Sequence, residues 1–143
     1  MNKRLLFIDD ESVMRKTIAD SFRDDGFIVD EAGNGKEGLR FFNEQSYDLI
    51  ILDVMMPIMD GWSVLRRIRE KSKVLVIMLT ARDEDDDQLL GYEMGADDYV
   101  TKPVSLKVLK AKACRLLERV YTNENSVEEG IIRKNKVIIN KVA

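Results

Sequence analysis

Leu49-Ile50-Ile51-Leu52 is a run of four aliphatic residues that leads directly into an acid, Asp53. Two similar runs, at residues 4–8 and 74–79, also lead into polar residues. Near-continuous runs of Leu, Ile and Val are typical of strands buried on both faces of a parallel sheet. Residues 27–32 alternate instead, as an edge strand can, and residues 98–100 are a short fifth candidate. The sequence therefore predicts a five-stranded parallel sheet.

Helix-compatible segments separate and follow these strands, at residues 11–25, 36–44, 61–70, 84–94 and 106–121. In the first of them, we expect Val13, Ile18 and Phe22 to share an apolar face, and Gly26 is a stop signal. In the last, Ser105 is placed to cap the N-terminus. Strands that alternate with helices in this way predict a doubly wound α/β domain over residues 1–121.

The chain changes character after Tyr121. Residues 122–130 are polar and predict a linker. Residues 131–140 have the pattern of a strand, a turn and a second strand, and a lone hairpin of that size is only marginally stable in water. We therefore expect residues 131–143 to be the start of a truncated effector domain.

Composition narrows the chemistry that is available. The chain of 143 residues contains no histidine, so it lacks the commonest general base and metal ligand. Its formal net charge of −3 gives no bulk attraction for nucleic acid. The single cysteine, Cys114, excludes an intrachain disulfide, and no apolar run approaches the roughly 20 residues of a membrane helix. These features predict a cytoplasmic protein with no membrane partner.

Polar residues follow the predicted strands at the edge where open parallel sheets bind ligands. Asp9 and Asp10 follow the first strand, Asp53 the third, Thr80 ends the fourth, and Lys102 follows the fifth. These side chains converge if the first and third strands are neighbours. Clustered carboxylates repel one another, and oxygen ligands without imidazole or thiolate favour Mg²⁺. An acid, a divalent cation, a lysine and a hydroxyl are what phosphoryl transfer to a carboxylate requires.

Five fragments then carry a family resemblance: Phe7-Ile8-Asp9-Asp10-Glu11, Ile51-Leu52-Asp53-Val54-Met55-Met56-Pro57, Asp60-Gly61, Leu79-Thr80-Ala81 and Thr101-Lys102-Pro103. With these fragments in order, the first 121 residues resemble the receiver domains of two-component response regulators, the CheY-like family. The resemblance implies a flavodoxin-like sheet of order 2-1-3-4-5 with five helices.

The same resemblance implies a role for each matching residue. Asp53 would accept a phosphoryl group from a sensor histidine kinase. Mg²⁺, or Mn²⁺ in its place, would be bound by Asp9, Asp10, Asp53 and the backbone carbonyl of Met55. The phosphoryl oxygens would contact Thr80, Ala81 and Lys102. Thr80 and Tyr99 would be the residues that move on activation, and the Lys102–Pro103 peptide bond would be cis.

Gly95-Ala96-Asp97-Asp98-Tyr99 and Lys102-Pro103-Val104-Ser105 resemble more specifically the winged-helix transcription factors of the OmpR/PhoB class. The resemblance implies a phosphorylation-dependent dimer through the predicted fourth helix, fifth strand and fifth helix. Its surface would include Gln88, Asp97, Asp98, Val108, Lys112 and Arg119. Cross-subunit ion pairs would join Asp98 to Lys112 and Asp97 to Arg119, whereas Gln88 and Val108 replace the charged residues expected there. DNA would be bound only through an effector domain missing from this chain.

Two other interpretations of the acidic site compete with a signalling switch. A phosphohydrolase with an aspartyl phosphate needs an Asp-x-Asp motif after the first strand, and Asp9-Asp10-Glu11 lacks that spacing. An interaction module that signals without phosphate would have lost the acceptor, an acid or the lysine, and all are retained. We therefore predict a switch that promotes only its own phosphorylation and dephosphorylation, and not an enzyme that acts on an external substrate.

Overall fold

The computed structural model describes residues 2–81 and 94–130. The strands are β1 (Arg4–Ile8), β2 (Ile28–Ala32), β3 (Leu49–Asp53), β4 (Leu75–Thr80) and β5 (Asp98–Thr101). The helices in these ranges are α1 (Ser12–Asp24), α2 (Gly35–Glu44), α3 (Gly61–Arg69) and a C-terminal helix (Leu106–Gly130). The helix predicted at residues 84–94 falls in the gap between the two ranges, and the hairpin predicted after Gly130 also lies outside the described residues.

The strands form one parallel sheet in the order β2-β1-β3-β4-β5. The predicted doubly wound fold and its strand order are therefore confirmed. All residues of β3 are buried, as the aliphatic run indicated. Because β1 and β3 are neighbours, their carboxyl ends lie side by side, which is the condition that the sequence left open for the acidic residues.

The sheet divides the core into two apolar layers. Leu5 and Phe7 of β1 join one layer with buried residues of α1 and the C-terminal helix, whereas Leu6 and Ile8 join the other layer with residues of α3. This division follows from the alternation of side chains along a strand. Burial on both faces holds the strands in place and therefore fixes where the loops at their carboxyl ends begin.

Helix α1 departs from the predicted apolar face. Ile18 and Phe22 are buried as expected, but Val13 is 77% exposed, so its assignment to that face is wrong. At 3.6 residues per turn, the separation of five residues from Val13 to Ile18 corresponds to a rotation of about 140° around the helix axis. Val13 therefore lies on the side of α1 that faces solvent.

The C-terminal helix is longer than the sequence predicted. It begins beside Ser105, whose hydroxyl accepts a hydrogen bond from the Val108 N–H at 3.3 Å, and it continues past Tyr121 to Gly130. Residues 122–129 contain no glycine or proline, so nothing in them breaks a helix before the stop signal at Gly130. The segment predicted as a linker is helical, and both the linker and the domain boundary at residue 121 stay predictions.

Within the two described ranges, none of the helices has both the length and the hydropathy needed to cross a bilayer.

Candidate functional site

An acidic crevice lies at the carboxyl edge of the sheet. Carboxylate oxygens of Asp9, Asp10 and Asp53, one from each residue, lie within 4.8 Å of one another. Asp9 and Asp53 are buried, whereas Asp10 is exposed. The structure therefore brings together the three acids that the sequence singled out, with two on the sheet side of the crevice and one on the solvent side.

Asp53 is the last residue of β3, and its side chain is held on one oxygen only. Its Oδ1 lies 3.0 Å from the Lys102 ammonium nitrogen and 3.4 Å from the Met55 N–H nitrogen. Its Oδ2 is buried and has no hydrogen-bond partner within the part of the chain that the structure describes. A buried carboxylate oxygen with no donor is costly, so this atom points to a ligand that is cationic or carries protons.

Asp9 is held in a similar way. Its N–H donates to the Ala32 carbonyl at 3.0 Å, and its Oδ1 accepts from the Glu11 N–H at 2.9 Å. Its backbone carbonyl accepts a hydrogen bond from Arg15 at 2.7 Å. Among residues 2–81 and 94–130, nothing donates to the buried Oδ2. The crevice thus contains two unpartnered carboxylate oxygens on neighbouring strands.

The electrostatics of the crevice follow from this crowding. The pKa of Asp9 is raised to about 6: burial is the main cause and the charge of Asp53 adds to it, while the hydrogen bond from the Glu11 N–H and the charge of Lys102 oppose the rise. Burial also raises the pKa of Asp53, although Lys102 opposes the rise. For Lys102, burial lowers the pKa, but the hydrogen bond and charge of Asp53 outweigh it and the net pKa is raised. One lysine does not neutralise these acids.

The donor set of the crevice fits a hard divalent cation. It consists of carboxylate oxygens, two of them buried and unpartnered, with no imidazole or thiolate in the group. Mg²⁺ prefers oxygen ligands, commonly one or two carboxylates with the remaining positions taken by water or substrate. A divalent ion bound here would relieve the repulsion between Asp9 and Asp53.

The remaining residues of the predicted site surround Asp53. Thr80 ends β4 and is buried, and Ala81 beside it is exposed. The Lys102 N–H donates to the Thr80 carbonyl at 2.7 Å, which ties the end of β4 to the start of the loop after β5. The Lys102–Pro103 peptide bond is cis, the isomer that the resemblance implied. Met55, whose carbonyl was assigned to the metal, has an exposed side chain.

Gly61 belongs to a motif fragment, but only the structure shows what it does. A Cβ added at this position would overlap the Asp53 carbonyl oxygen and would lie 2.8 Å from the Val54 Cα. The Gly61 N–H donates to the Val54 carbonyl at 2.8 Å, and Asp60 caps the helix by accepting from the Ser63 N–H at 2.9 Å. The start of α3 therefore packs directly on the backbone at the end of β3.

Tyr99, the predicted switch residue, is half-buried beside the apolar layer that contains α3. The Lys112 ammonium nitrogen lies 5.0 Å from the centroid of its ring and donates to its carbonyl at 3.0 Å. Tyr99 is thus tied to the C-terminal helix, on which Lys112 lies.

The acids assigned to cross-subunit ion pairs are paired within the chain. Asp98 lies 3.1 Å from Lys112 and 3.1 Å from Arg115, and Asp97 lies 3.1 Å from Arg69. Asp97 also accepts a hydrogen bond from the Val76 N–H. A cross-subunit pair would have to replace or share these contacts.

The other residues of the predicted dimer surface are placed only in part. Val108 and Arg119 are exposed on the C-terminal helix, as an interface requires. Gln88 lies outside the described residues. The dimer surface stays a prediction.

Residues 5–113 match the family model of the response regulator receiver domain. The chain is 44% identical over 140 residues to the uncharacterized transcriptional regulatory protein YclJ of Bacillus subtilis, covering 97% of this chain and 61% of YclJ. It is 41% identical to the transcriptional regulatory protein AfsQ1 of Streptomyces coelicolor, covering 96% of this chain and 62% of AfsQ1. The receiver domain of the Francisella response regulator 1452 superposes with a TM-score of 0.79 at 35% identity, covering 83% of this chain and 99% of that domain. The chain thus spans about three fifths of the length of these two curated relatives.

Proposed function

Because the chain belongs to the response regulator receiver domain family, we propose that Asp53 is its phosphoacceptor and that the chain is a phosphorylation-controlled switch. The observation that carries the proposal is the state of the Asp53 carboxylate. It is buried, one oxygen is paired with Lys102 at 3.0 Å, and the other has no donor among the described residues. A structural acid in a core would have both oxygens satisfied.

Asp9, Asp10 and Asp53 would hold Mg²⁺ together with the backbone carbonyl of Met55, and Mn²⁺ could take its place. When bound, the ion supplies positive charge that offsets the charge building up on the phosphoryl oxygens during transfer. The Oδ2 atoms of Asp9 and Asp53 support this assignment, because they are hard oxygen ligands that no hydrogen-bond donor in the described ranges occupies.

The phosphoryl donor would be the phosphohistidine of a sensor histidine kinase. A carboxylate oxygen of Asp53 attacks phosphorus, the phosphorus–nitrogen bond breaks, and histidine leaves as the acyl phosphate forms. Lys102, already in contact with Asp53, would pair with the transferred phosphoryl oxygens. Thr80, the last residue of the neighbouring strand β4, would supply a hydroxyl to the same oxygens, and Ala81 after it would supply an N–H.

Phosphorylation would act by changing the relative populations of two arrangements that both pre-exist. In the active one, Thr80 bonds the phosphoryl group and Tyr99 turns inward. The contacts of Lys112 with Tyr99 link that movement to the C-terminal helix, from which the signal would reach self-association. In a longer protein, the output would be DNA binding and transcription through an effector domain. We assign the chain to the cytoplasm and to a signalling role, without turnover of an external substrate.

Incubation with Mg²⁺ and phosphoramidate, followed by intact-mass measurement, tests the proposal. We expect the wild type to gain one phosphoryl group and Asp53→Asn to gain none. The matched control is Asp60→Asn, which alters an exposed acid in the next loop and keeps an oxygen that can cap α3. Labelling of Asp53→Asn at the wild-type level, or a folded wild type that gains no mass, would contradict the proposal.

A further inference from the structure

Asp9 is anchored at three of its four polar atoms. Its N–H and Oδ1 are held by backbone groups of Ala32 and Glu11, and its carbonyl is held by the guanidinium of Arg15 at 2.7 Å. The fourth atom, Oδ2, has no protein partner in the described ranges. Arg15 is therefore the one side chain among these anchors, and a substitution can remove it without altering the backbone.

Arg15 is itself held in place. Its Nε lies 3.1 Å from Oε1 of Glu31 on β2, and both side chains are largely buried. The other oxygen of Glu31 pairs with Arg23 at 3.0 Å, so the acid is fixed from two sides. A Cβ at Gly33 would lie 3.2 Å from Nη1 of Arg15, and the glycine therefore leaves room for the guanidinium beside the loop.

The Asp9 carbonyl belongs to the planar peptide that joins Asp9 to Asp10. Rotation of this peptide would move the Asp10 side chain relative to that of Asp9, because the two residues share it. A hydrogen bond from a cationic donor is shorter and stronger than one between neutral groups, and 2.7 Å is at the short end of the range. The guanidinium thus fixes the plane from which both carboxylates project.

We propose that Arg15, oriented by Glu31, is a positioning residue for the divalent-cation site: it holds the Asp9–Asp10 peptide in the orientation in which both carboxylates face the ion. The inference rests on the function proposed above and names a residue that lies outside the acidic crevice. Groups that orient metal ligands typically change metal affinity by 10- to 100-fold when they are lost. For Arg15 we expect about a tenfold loss of Mg²⁺ affinity, because two backbone anchors of Asp9 remain.

The test is a Mg²⁺ titration of the full chain followed by amide chemical shifts, with free energies of unfolding measured separately in urea without metal. Arg15→Met removes the guanidinium and keeps an unbranched side chain. Arg23→Met is the matched control, because it lies on the same helix and removes the other ion pair of Glu31, but it does not contact Asp9. We expect the dissociation constant of Arg15→Met to rise about tenfold and that of Arg23→Met to stay within about twofold of the wild type.

Two further variants keep the test decisive. Arg15→Lys, for use if Arg15→Met does not fold, retains a cation that can reach Glu31 or the Asp9 carbonyl but not both, and we expect an intermediate loss. Glu31→Gln should also weaken binding, since it removes the charge that orients Arg15. Wild-type affinity in both Arg15 variants, or equal losses in Arg15→Met and Arg23→Met, would overturn the inference. If the amide shifts of the wild type do not change as Mg²⁺ is added, the proposed function is overturned as well. The wild-type titration alone therefore distinguishes failure of the proposed function from failure of the inference about Arg15.

Discussion

Neutralising Asp9 should stabilise the metal-free protein. In Asp9→Asn, the side-chain carbonyl can still accept the hydrogen bond from the Glu11 N–H, which Oδ1 now accepts at 2.9 Å. The amide nitrogen replaces an oxygen that has no donor in the described part of the chain, and it removes a negative charge next to Asp53. Shape is conserved while the buried charge is lost, so the substitution isolates the electrostatic cost of the site.

The magnitude follows from the pKa of Asp9, which burial raises from 3.8 to about 6. One pKa unit corresponds to about 1.4 kcal/mol, so the cost of the ionised form is at most about 3 kcal/mol. Between pH 4 and pH 6 the folded chain holds a proton on Asp9 that the unfolded chain has lost, so native stability falls as pH rises through this window. The advantage of Asp9→Asn should therefore be about 3 kcal/mol at pH 7, about half of that at pH 5, and near zero below pH 4.

Urea unfolding with a metal chelator present, at several pH values from 4 to 7, measures this profile. Asp60→Asn is the control: its carboxylate is exposed, and we expect a change within about 0.5 kcal/mol at every pH. In Mg²⁺ the stability advantage of Asp9→Asn over the wild type should shrink, because the wild type gains stability from the bound ion and the variant has lost a ligand. An Asp9→Asn variant that is less stable than the wild type at pH 7 would show that the buried charge of Asp9 does not destabilise the metal-free protein. So would a gain that is the same at pH 4 and pH 7.

Three further substitutions have outcomes that urea unfolding would measure. Gly61→Ala should destabilise the protein by about 1–3 kcal/mol, because a Cβ would overlap the backbone of Asp53; a loss below about 0.5 kcal/mol would show that α3 can shift freely. Ile58→Gly should stabilise it by about 1 kcal/mol, because Ile58 has a φ of 72° and a fully exposed side chain; a loss would mean that the apolar side chain contributes to folding. Lys102→Met should lower the free energy of unfolding by about 3 kcal/mol at pH 7, and by less at pH 5, where a proton can replace the lost cation. An unchanged free energy of unfolding would show that Lys102 does not offset the charge of Asp53.

The sheet and the acidic crevice were largely predictable from local sequence. Each aliphatic run is followed by a polar residue at the carboxyl end of its strand. An uninterrupted aliphatic run such as residues 49–52 is typical of a strand buried on both faces, and all residues of β3 are buried. The convergence of Asp9 with Asp53 depended on strand order. That order came from the family resemblance, because periodicity contains no information about which strands are neighbours.

The errors and omissions have a common physical origin. Arg15 of α1 contacts Glu31 in β2 and the loop after β1, and no local pattern in the sequence reveals a contact among three elements. Val13 is apolar like Ile18, but its angular position on α1 directs it to solvent, so apolar character alone does not predict its burial. The resemblance implied a cross-subunit pair between Asp98 and Lys112; the two residues lie 3.1 Å apart within the chain, and the cross-subunit pair stays a prediction.

Chemical trapping of the acyl phosphate would show whether Asp53 is the residue that carries the phosphoryl group. The protein is phosphorylated in Mg²⁺, treated with borohydride to reduce the acyl phosphate to an alcohol, digested, and sequenced by mass spectrometry. We expect homoserine at position 53, in the peptide that contains Leu52-Asp53-Val54, and unmodified aspartate at positions 9, 10 and 60. Homoserine at any of those other positions, or phosphate recovered on a serine or threonine with Asp53 intact, would contradict this expectation.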